Sequence, residues 1–453
     1  MKLKALEPLS VALLQFARDL LDDAPEQEAV SSAPVLETPF SNIAEPDWVE
    51  AVALWNAHGR PLIDGLARRD CPACGEARKR RLFESYDGYG YDECEACGCW
   101  YVPLRVEASV FEEFFSRCSE ARAVAERSFR ARETAEYTAA CLDRIGGYLD
   151  AMAPLLRGEG PGRNLDVGCG LGHSLQAASA RGMFAVGTES SAECLQIAHA
   201  NGLDVRDAAE PLPAGPFRLI TFWESLEHIS DPREILTSCH DLLEPGGLVG
   251  FSVPNLLSPL LRLQRGDCSV VHGGYDTPGH INLFGPESLR LLFDRSGYEL
   301  LDLDGQYGMN AFELLAYASG RHHGAHDLLA GRREARGLSE SVMDAIRWAG
   351  PALTFLERMA LLSPILVGIA CRKDSAEKFR VGIAELEERR RKRIRADIEA
   401  SMPPMTEVEA LKWELATAQQ RLERAERDNV LIRRFLKILR DPAAAMAGLR
   451  RRK

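Results

Sequence analysis

Five of the chain's 12 cysteines lie between Cys71 and Cys99. Four of them form two knuckles, Cys71-Pro-Ala-Cys74 and Cys94-Glu-Ala-Cys97, with nineteen residues between them. A Cys-x-x-Cys turn presents two thiolates to one ion, and two such turns complete a tetrahedral four-sulfur site, which suits zinc. Gly75 and Gly98 follow the second cysteine of each knuckle, where the chain must curl back. Phe83, Tyr86, Tyr89 and Tyr91 favour short strands between the knuckles, giving a zinc ribbon. A closed four-sulfur site has no open coordination position, so its expected work is structural: it folds a unit too small to hold itself together. A redox dithiol pair or unligated cysteines are the competing readings, and Cys99 is a spare. Other cysteines, such as Cys141, Cys239 and Cys371, sit in apolar surroundings and read as small buried hydrophobes.

A second pattern lies at residues 163–172, Arg-Asn-Leu-Asp-Val-Gly-Cys-Gly-Leu-Gly. Leu165 and Val167 belong to a buried strand, Gly168, Gly170 and Gly172 permit a tight turn and close approach of a ligand, and a helix opens at His173. The helix N-terminal amides suit the polar end of a ligand. Dinucleotide sites use the same device, so the triplet alone leaves the ligand open. Its context narrows the choice. Asp166 ends the first strand. The next strand, Phe184 to Thr188, ends at Glu189, whose carboxylate can accept both hydroxyls of a ribose. Leu203 to Arg206 leads to Asp207-Ala208, placed to bracket an adenine. A fourth strand, Phe217 to Phe222, is followed by Trp-Glu-Ser-Leu-Glu-His from Trp223 to His228. A helix from Pro232, the turn Leu243-Glu-Pro-Gly-Gly and a strand from Leu248 to Val253 complete the series.

In these ordered motifs residues 135 to 373 resemble the class I S-adenosylmethionine-dependent methyltransferases, in particular the subgroup with a Leu-Glu-His segment after the fourth strand. The resemblance implies an α/β fold: a Rossmann-like seven-stranded sheet with helices on both faces and an antiparallel last strand. Tyr298 to Asp304 would be the sixth strand and Ile365 to Cys371 the last, separated by a helical insertion. It also implies that Asp166, Gly168, Cys169, Gly170 and Gly172 form the loop at the methionine portion of the cofactor, that Glu189 binds ribose, and that Asp207 and Ala208 flank adenine. One position departs: Phe217-Arg218 stands where the family commonly has Phe-Asp.

Methyl transfer from a sulfonium is an in-line displacement, and an alcohol acceptor must also lose a proton. Candidates belong at the C-terminal ends of the strands. His228 is one. The segment His272-Gly-Gly-Tyr275-Asp-Thr-Pro-Gly-His280 supplies two more, His272 and His280, with Tyr275 as a further acceptor contact. Bracing a loop is the alternative role for each histidine. His322 and His323 fall in the insertion and are expected to face solvent. Cysteine knuckles before such a domain resemble bacterial enzymes that modify sugars, polysaccharides or secondary metabolites. That likeness implies methylation of a hydroxyl on a glycan or related small molecule, ahead of sugar C-methylation, whose downstream pattern is not evident. A coiled-coil scaffold with a non-catalytic methyltransferase fold is the alternative of another class.

The elements that must hold these residues divide the chain into an N-terminal helical and linker region (1–66), the zinc ribbon and a connecting helix (67–133), the methyltransferase unit (134–373), a basic helical linker (374–405), a coiled coil (406–440) and a basic tail (441–453). The net charge of −12 is unevenly spread: from Arg372 onward 22 basic residues face 14 acidic ones. An acidic body excludes nucleic acid as the main substrate. From Val408 to Leu439 apolar positions step by three and four, with Asn429 in the seam, which predicts a parallel dimer. Basic runs at Arg389–Arg393 and Arg450–Lys453 suit a solvated face, or attraction to an anionic membrane or acidic partner. The N-terminal apolar run is short and broken by Arg18 and Asp19, and the apolar stretch near Ala349 to Ala370 is broken by Pro351, Glu357, Arg358 and Pro364. Neither reads as a signal peptide or membrane span, and a cytoplasmic location, free or at the inner face of the membrane, is expected.

Overall fold

A computed structural model describes residues 45–85, 87–156, 162–259, 261, 279–306, 357–358 and 360–401. The stretch 1–44, His272, Tyr275, the insertion with His322 and His323, the coil at 406–440 and the basic tail lie outside them.

The chain enters through α1 (Glu45–Leu54), a π-helical turn (Trp55–Gly59) and α2 (Arg60–Ile63). The cysteine segment follows, with β1 (Lys79–Glu84), β2 (Gly90–Cys94) and β3 (Trp100–Tyr101). Next come α3 (Ala108–Arg117), α4 (Ser119–Ala131) and α5 (Ala135–Met152). Thr134 starts α5 because its hydroxyl accepts the Tyr137 amide at 3.2 Å. Strand and helix then alternate: β4 (Arg163–Val167), α6 (His173–Ser179), β5 (Phe184–Glu189), α7 (Ala192–Ala200), β6 (Val205–Asp207), β7 (Phe217–Trp223), α8 (Pro232–His240) and β8 (Leu243–Pro254). Ser191 and Asp231 cap α7 and α8, the latter with Pro232 in the first turn, where its missing N–H costs nothing. The short β9 (Asn282–Leu283) precedes α9 (Pro286–Arg295), β10 (Tyr298–Gln306), β11 (Ile365–Arg372) and α10 (Arg380–Ser401).

Seven strands form one sheet in the order β10-β11-β8-β7-β4-β5-β6. β11 runs antiparallel to both its neighbours, while β8 through β6 are parallel. Alternate residues face opposite layers. On β7, Leu219 and Trp223 pack with Ile145, Leu149 and Met152 of α5, whereas Ile220 and Phe222 pack with Leu236 of α8 and Leu289 and Phe293 of α9. Both faces are covered, as a largely parallel sheet requires. The order reverses at β4, whose neighbours are β5 and β7, and the crevice at that switch point is where open α/β sheets bind ligands.

The second sheet, β1-β2-β3-β9, alters one expected boundary. Residues 67–133 do not form a unit of their own. Their sheet is completed by Asn282 and Leu283 from the methyltransferase segment, with Trp100 opposite Leu283 and Tyr101 opposite Asn282. The buried cysteines share one apolar cluster with Phe217, Leu226, Phe251 and Phe284. Among the described residues no helix is long and apolar enough to cross a membrane.

Candidate functional site

The glycine loop hangs from the neighbouring strand. The Gly168 and Cys169 amides both donate to the Thr188 carbonyl, at 2.8 and 3.0 Å. Gly168 has φ +77°, and a Cβ there would stand 2.8 Å from that of Ser225; at Gly172, φ +84°, a Cβ would meet Leu203 at 2.3 Å. These two positions therefore require glycine. A Cβ placed on Gly170 meets no heavy atom within 4 Å, so the crest of the loop is open.

Asp166 does not line that opening. It is 1% exposed, and its carboxylate accepts from Thr221 Oγ1 at 2.7 Å and from the Ser174 hydroxyl. It ties β4 to β7 and to the first turn of α6, and so braces the loop from beneath. Burial pushes its pKa up to about 6. Cys169 is also buried, packed against Gly187, and burial raises its thiol well above the ordinary range, so it remains a neutral filler.

Glu189 stands at the tip of β5. Its Oε2 accepts the Gly170 amide at 2.8 Å, and its Oε1 accepts the Ser190 and Ser191 amides, each at 2.8 Å. A carboxylate offers about four acceptor positions. Three are occupied, so Glu189 is held rigid with one Oε2 lone pair still available. Asp207 lies opposite Glu189 in the β5–β6 register, and the Ala208 amide donates to the Glu189 carbonyl at 2.9 Å. The residues expected at ribose and adenine are thus side by side along one edge. Arg218 stands at the opposite end of its strand, paired with Glu244 at 2.8 Å, away from the loop. The family's departure at that position does not touch the site.

The segment after β7 closes over the glycine loop, since Ser225 is the residue a side chain on Gly168 would strike. Glu224 takes φ +52°, uncommon for a residue with a side chain, and its amide is held by Ser252. His228 and His280 come together with ring centroids 4.6 Å apart and planes at 70°. His280 is buried and His228 exposed. The Glu227 side chain, 0% exposed, joins them: one donor atom from each of the three lies within 4.8 Å of the others. The Glu227 carbonyl accepts both the Ile281 and Asn282 amides at 3.0 Å.

Three residues hold this arrangement: Asn282 and Arg69 were not singled out in the sequence, and Tyr91 was read there only as a strand former. Asn282 donates from Nδ2 to the Leu226 and Ile229 carbonyls at 3.1 and 2.8 Å. Arg69 donates to the Asn282 side-chain oxygen at 2.8 Å, and to the carbonyls of Val102, Ile281 and Ser230. Burial lowers its pKa to about 10, which leaves it cationic at neutral pH. The Tyr91 hydroxyl donates to the His280 carbonyl at 2.6 Å. Asn282 lies two residues from a singled-out histidine, but neither Arg69 nor Tyr91 has a local pattern that marks it.

The four knuckle cysteines are buried and converge. Cys71 and Cys97 sulfurs stand 3.5 Å apart, as do those of Cys74 and Cys94, and all four lie within 4.8 Å of one another. A disulfide needs about 2.05 Å, whereas thiolates at about 2.3 Å from one zinc ion stand about 3.8 Å apart. The donor set therefore fits zinc and not a pair of disulfides. Cys99 is outside this group, with its thiol directed to the Leu283 carbonyl at 3.5 Å.

Residues 134–303 match the family model of a methyltransferase domain. The chain is 35% identical over 121 residues to the ubiquinone biosynthesis O-methyltransferase of Paracidovorax citrulli (strain AAC00-1), covering 24% of this chain and 49% of that one. It is 33% identical over 157 residues to the ubiquinone biosynthesis O-methyltransferase of Vibrio atlanticus (strain LGP32), covering 31% of this chain and 65% of the relative. The chain thus spans about half to two thirds of the length of these curated relatives. A solved S-adenosylmethionine-dependent methyltransferase from Archaeoglobus fulgidus is similar at 18% identity with a TM-score of 0.35, covering 51% of this chain and 94% of that one. Residues 134–303 are thus a methyltransferase domain.

Proposed function

We propose that this protein transfers a methyl group from S-adenosylmethionine to a hydroxyl of a sugar, polysaccharide or related small molecule. The observation that supports the reading is that the open glycine loop follows β4, Glu189 ends β5 and the Glu227–His228 segment follows β7, all at the C-terminal ends of parallel strands, with the His280 ring packed on His228. Gly168, Gly170 and Gly172 would hold the methionine portion, Glu189 the ribose, and Asp207 with Ala208 the adenine. When bound, the cofactor supplies an electrophilic methyl group on a sulfonium. The chain's own part is to exclude water, orient the acceptor and take its hydroxyl proton, for which His228 and His280 are the candidates. The O-methyltransferase names of the curated relatives favour an oxygen acceptor over sugar C-methylation. His272 is a further candidate, on sequence alone.

Zinc at Cys71, Cys74, Cys94 and Cys97 belongs to the same proposal, as does self-association through 406–440, which the sedimentation mass of the full chain checks. The basic stretch is a weaker part of it. Arg390 pairs with Asp302 and, at 2.9 Å, with Asp304 of β10, so it serves the fold and not a membrane or partner.

Titration calorimetry with S-adenosylmethionine tests the core of the reading. The wild type is expected to bind one equivalent, and Glu189→Ala to bind at least about tenfold more weakly, because it loses both the ribose acceptor and the anchor of the Gly170 amide. No binding by the wild type would favour the non-catalytic scaffold. A methyl-transfer screen across nucleotide sugars and glycans then identifies the acceptor.

A further inference from the structure

We infer that Glu227, His228 and His280 form a second metal site, of a kind unlike the cysteine site: one divalent first-row cation held by a carboxylate and two imidazoles, with open positions for an oxygen of the acceptor. The acceptor half of this inference rests on the function proposed above; the metal half does not.

Among the described residues, two groups of three or more histidine, cysteine or acidic side chains could hold an ion, the four cysteines and this one. Glu227 is fully buried and His280 is 6% exposed. A carboxylate and two imidazoles whose donor atoms lie this close are a set that one divalent cation can bridge. Donors around one ion at about 2.1 Å stand about 3.4 Å apart. The separations here, within 4.8 Å, close to that with a contraction of about an ångström. His228 is the exposed member of the three, so a rotation of its side chain is the movement that closes the site.

The rest of the group is fixed beforehand. The Glu227 carbonyl holds the Ile281 and Asn282 amides, Asn282 clasps the Leu226 and Ile229 carbonyls, and Tyr91 pins the His280 carbonyl. Backbone on both sides of the ligands is thereby locked, which is what a metal site asks of its surroundings. One carboxylate and two imidazoles leave coordination positions open, and they suit manganese, iron, cobalt or zinc better than magnesium or calcium. The four-thiolate site is closed and soft, so the two sites sort different ions.

The chemical consequence is a more acidic acceptor hydroxyl. Its proton passes to water, its oxygen forms the bond to the methyl carbon, and the carbon–sulfur bond breaks with the electron pair left on sulfur. With an ion bound, the two histidines are neutral ligands in place of the proton acceptors named above, and an acceptor with two neighbouring oxygens would chelate.

The full chain, with zinc content fixed by elemental analysis and loosely held metal stripped, is titrated with Mn2+ while the paramagnetic resonance of the free ion is followed. Manganese is a poor thiolate binder, so the cysteine site does not compete. The expected result is one Mn2+ per chain beyond the zinc, weakened at least about tenfold in both His280→Ala and His228→Ala. Because His228 is exposed, its variant decides if His280→Ala fails to fold. Wild type that binds no Mn2+, or variants that bind it equally well, would overturn the site. Calorimetry with S-adenosylmethionine on the same samples keeps the two readings apart. Mn2+ binding without cofactor binding leaves the metal site standing and defeats the proposed function.

Discussion

Asp166 shows how one residue can be read correctly as part of a motif and still do different work. As the acidic residue ending the first strand it marks the loop, but its oxygens are taken by Thr221 and Ser174 beneath it. That burial has a consequence in pH. The carboxyl titrates near 3.8 when exposed and near about 6 in the folded chain. Between these values the folded state binds more protons than the unfolded one, so stability falls as pH rises through the window. The loss is about 3 kcal/mol at about 1.4 kcal/mol per unit. Denaturant unfolding of wild type and Asp166→Asn at pH 4 and pH 7 checks this. The wild type should lose about 2 kcal/mol more than the variant across that interval, and parallel losses would show that the Asp166 pKa is not raised. Glu189 was legible from its place at a strand tip. That three backbone amides would already hold it was not, because those donors belong to a loop conformation and not to a residue pattern.

At the scale of elements, the central strands β4, β7 and β8 and the last strand β11 could be placed from sequence because each contains an apolar run ending at a polar tip residue or a turn, while β6 and β10 were placed from their order in the motif series. The exception is β9. Two residues, Asn282 and Leu283, have no periodicity of their own, and their partner β3 lies far away in the chain. Only the folded chain shows that the cysteine sheet reaches into the histidine loop. This makes Tyr91 a positioning residue: its hydroxyl, on β2, fixes the carbonyl of His280. Tyr91→Phe removes one buried hydrogen bond and leaves that carbonyl unsatisfied, at a cost of about 1–2 kcal/mol. The expected outcome is a several-fold fall in turnover with little change in the dissociation constant of S-adenosylmethionine, whose contacts proposed above follow β4, β5 and β6. Equal losses in both would mean that the variant disturbs the fold generally.

The whole molecule follows from the same junction. Sequence spacing suggested a small zinc unit beside a larger domain, since knuckles of this kind commonly close on themselves. Here Cys71, Cys74, Cys94 and Cys97 are packed in one core with Phe217, Phe222, Leu226 and Phe293, and Arg69 crosses the junction with four hydrogen-bonded partners. A shared core unfolds as a unit. Taking away the zinc proposed for this site would leave four close-packed, buried thiols with nothing to hold them, and the strain would fall on the sheet that carries the histidines. Stripping zinc under denaturing-free conditions with a strong chelator should therefore lower the midpoint of a single thermal transition. For a unit of this size a loss of about 3 kcal/mol moves it by about 5 °C. Calorimetric scans of the zinc-loaded and zinc-stripped chain distinguish the two architectures. Separate domains would show an early transition that disappears with the metal while the main one stays in place; a joined core moves the main transition itself, and acceptor methylation is lost with it.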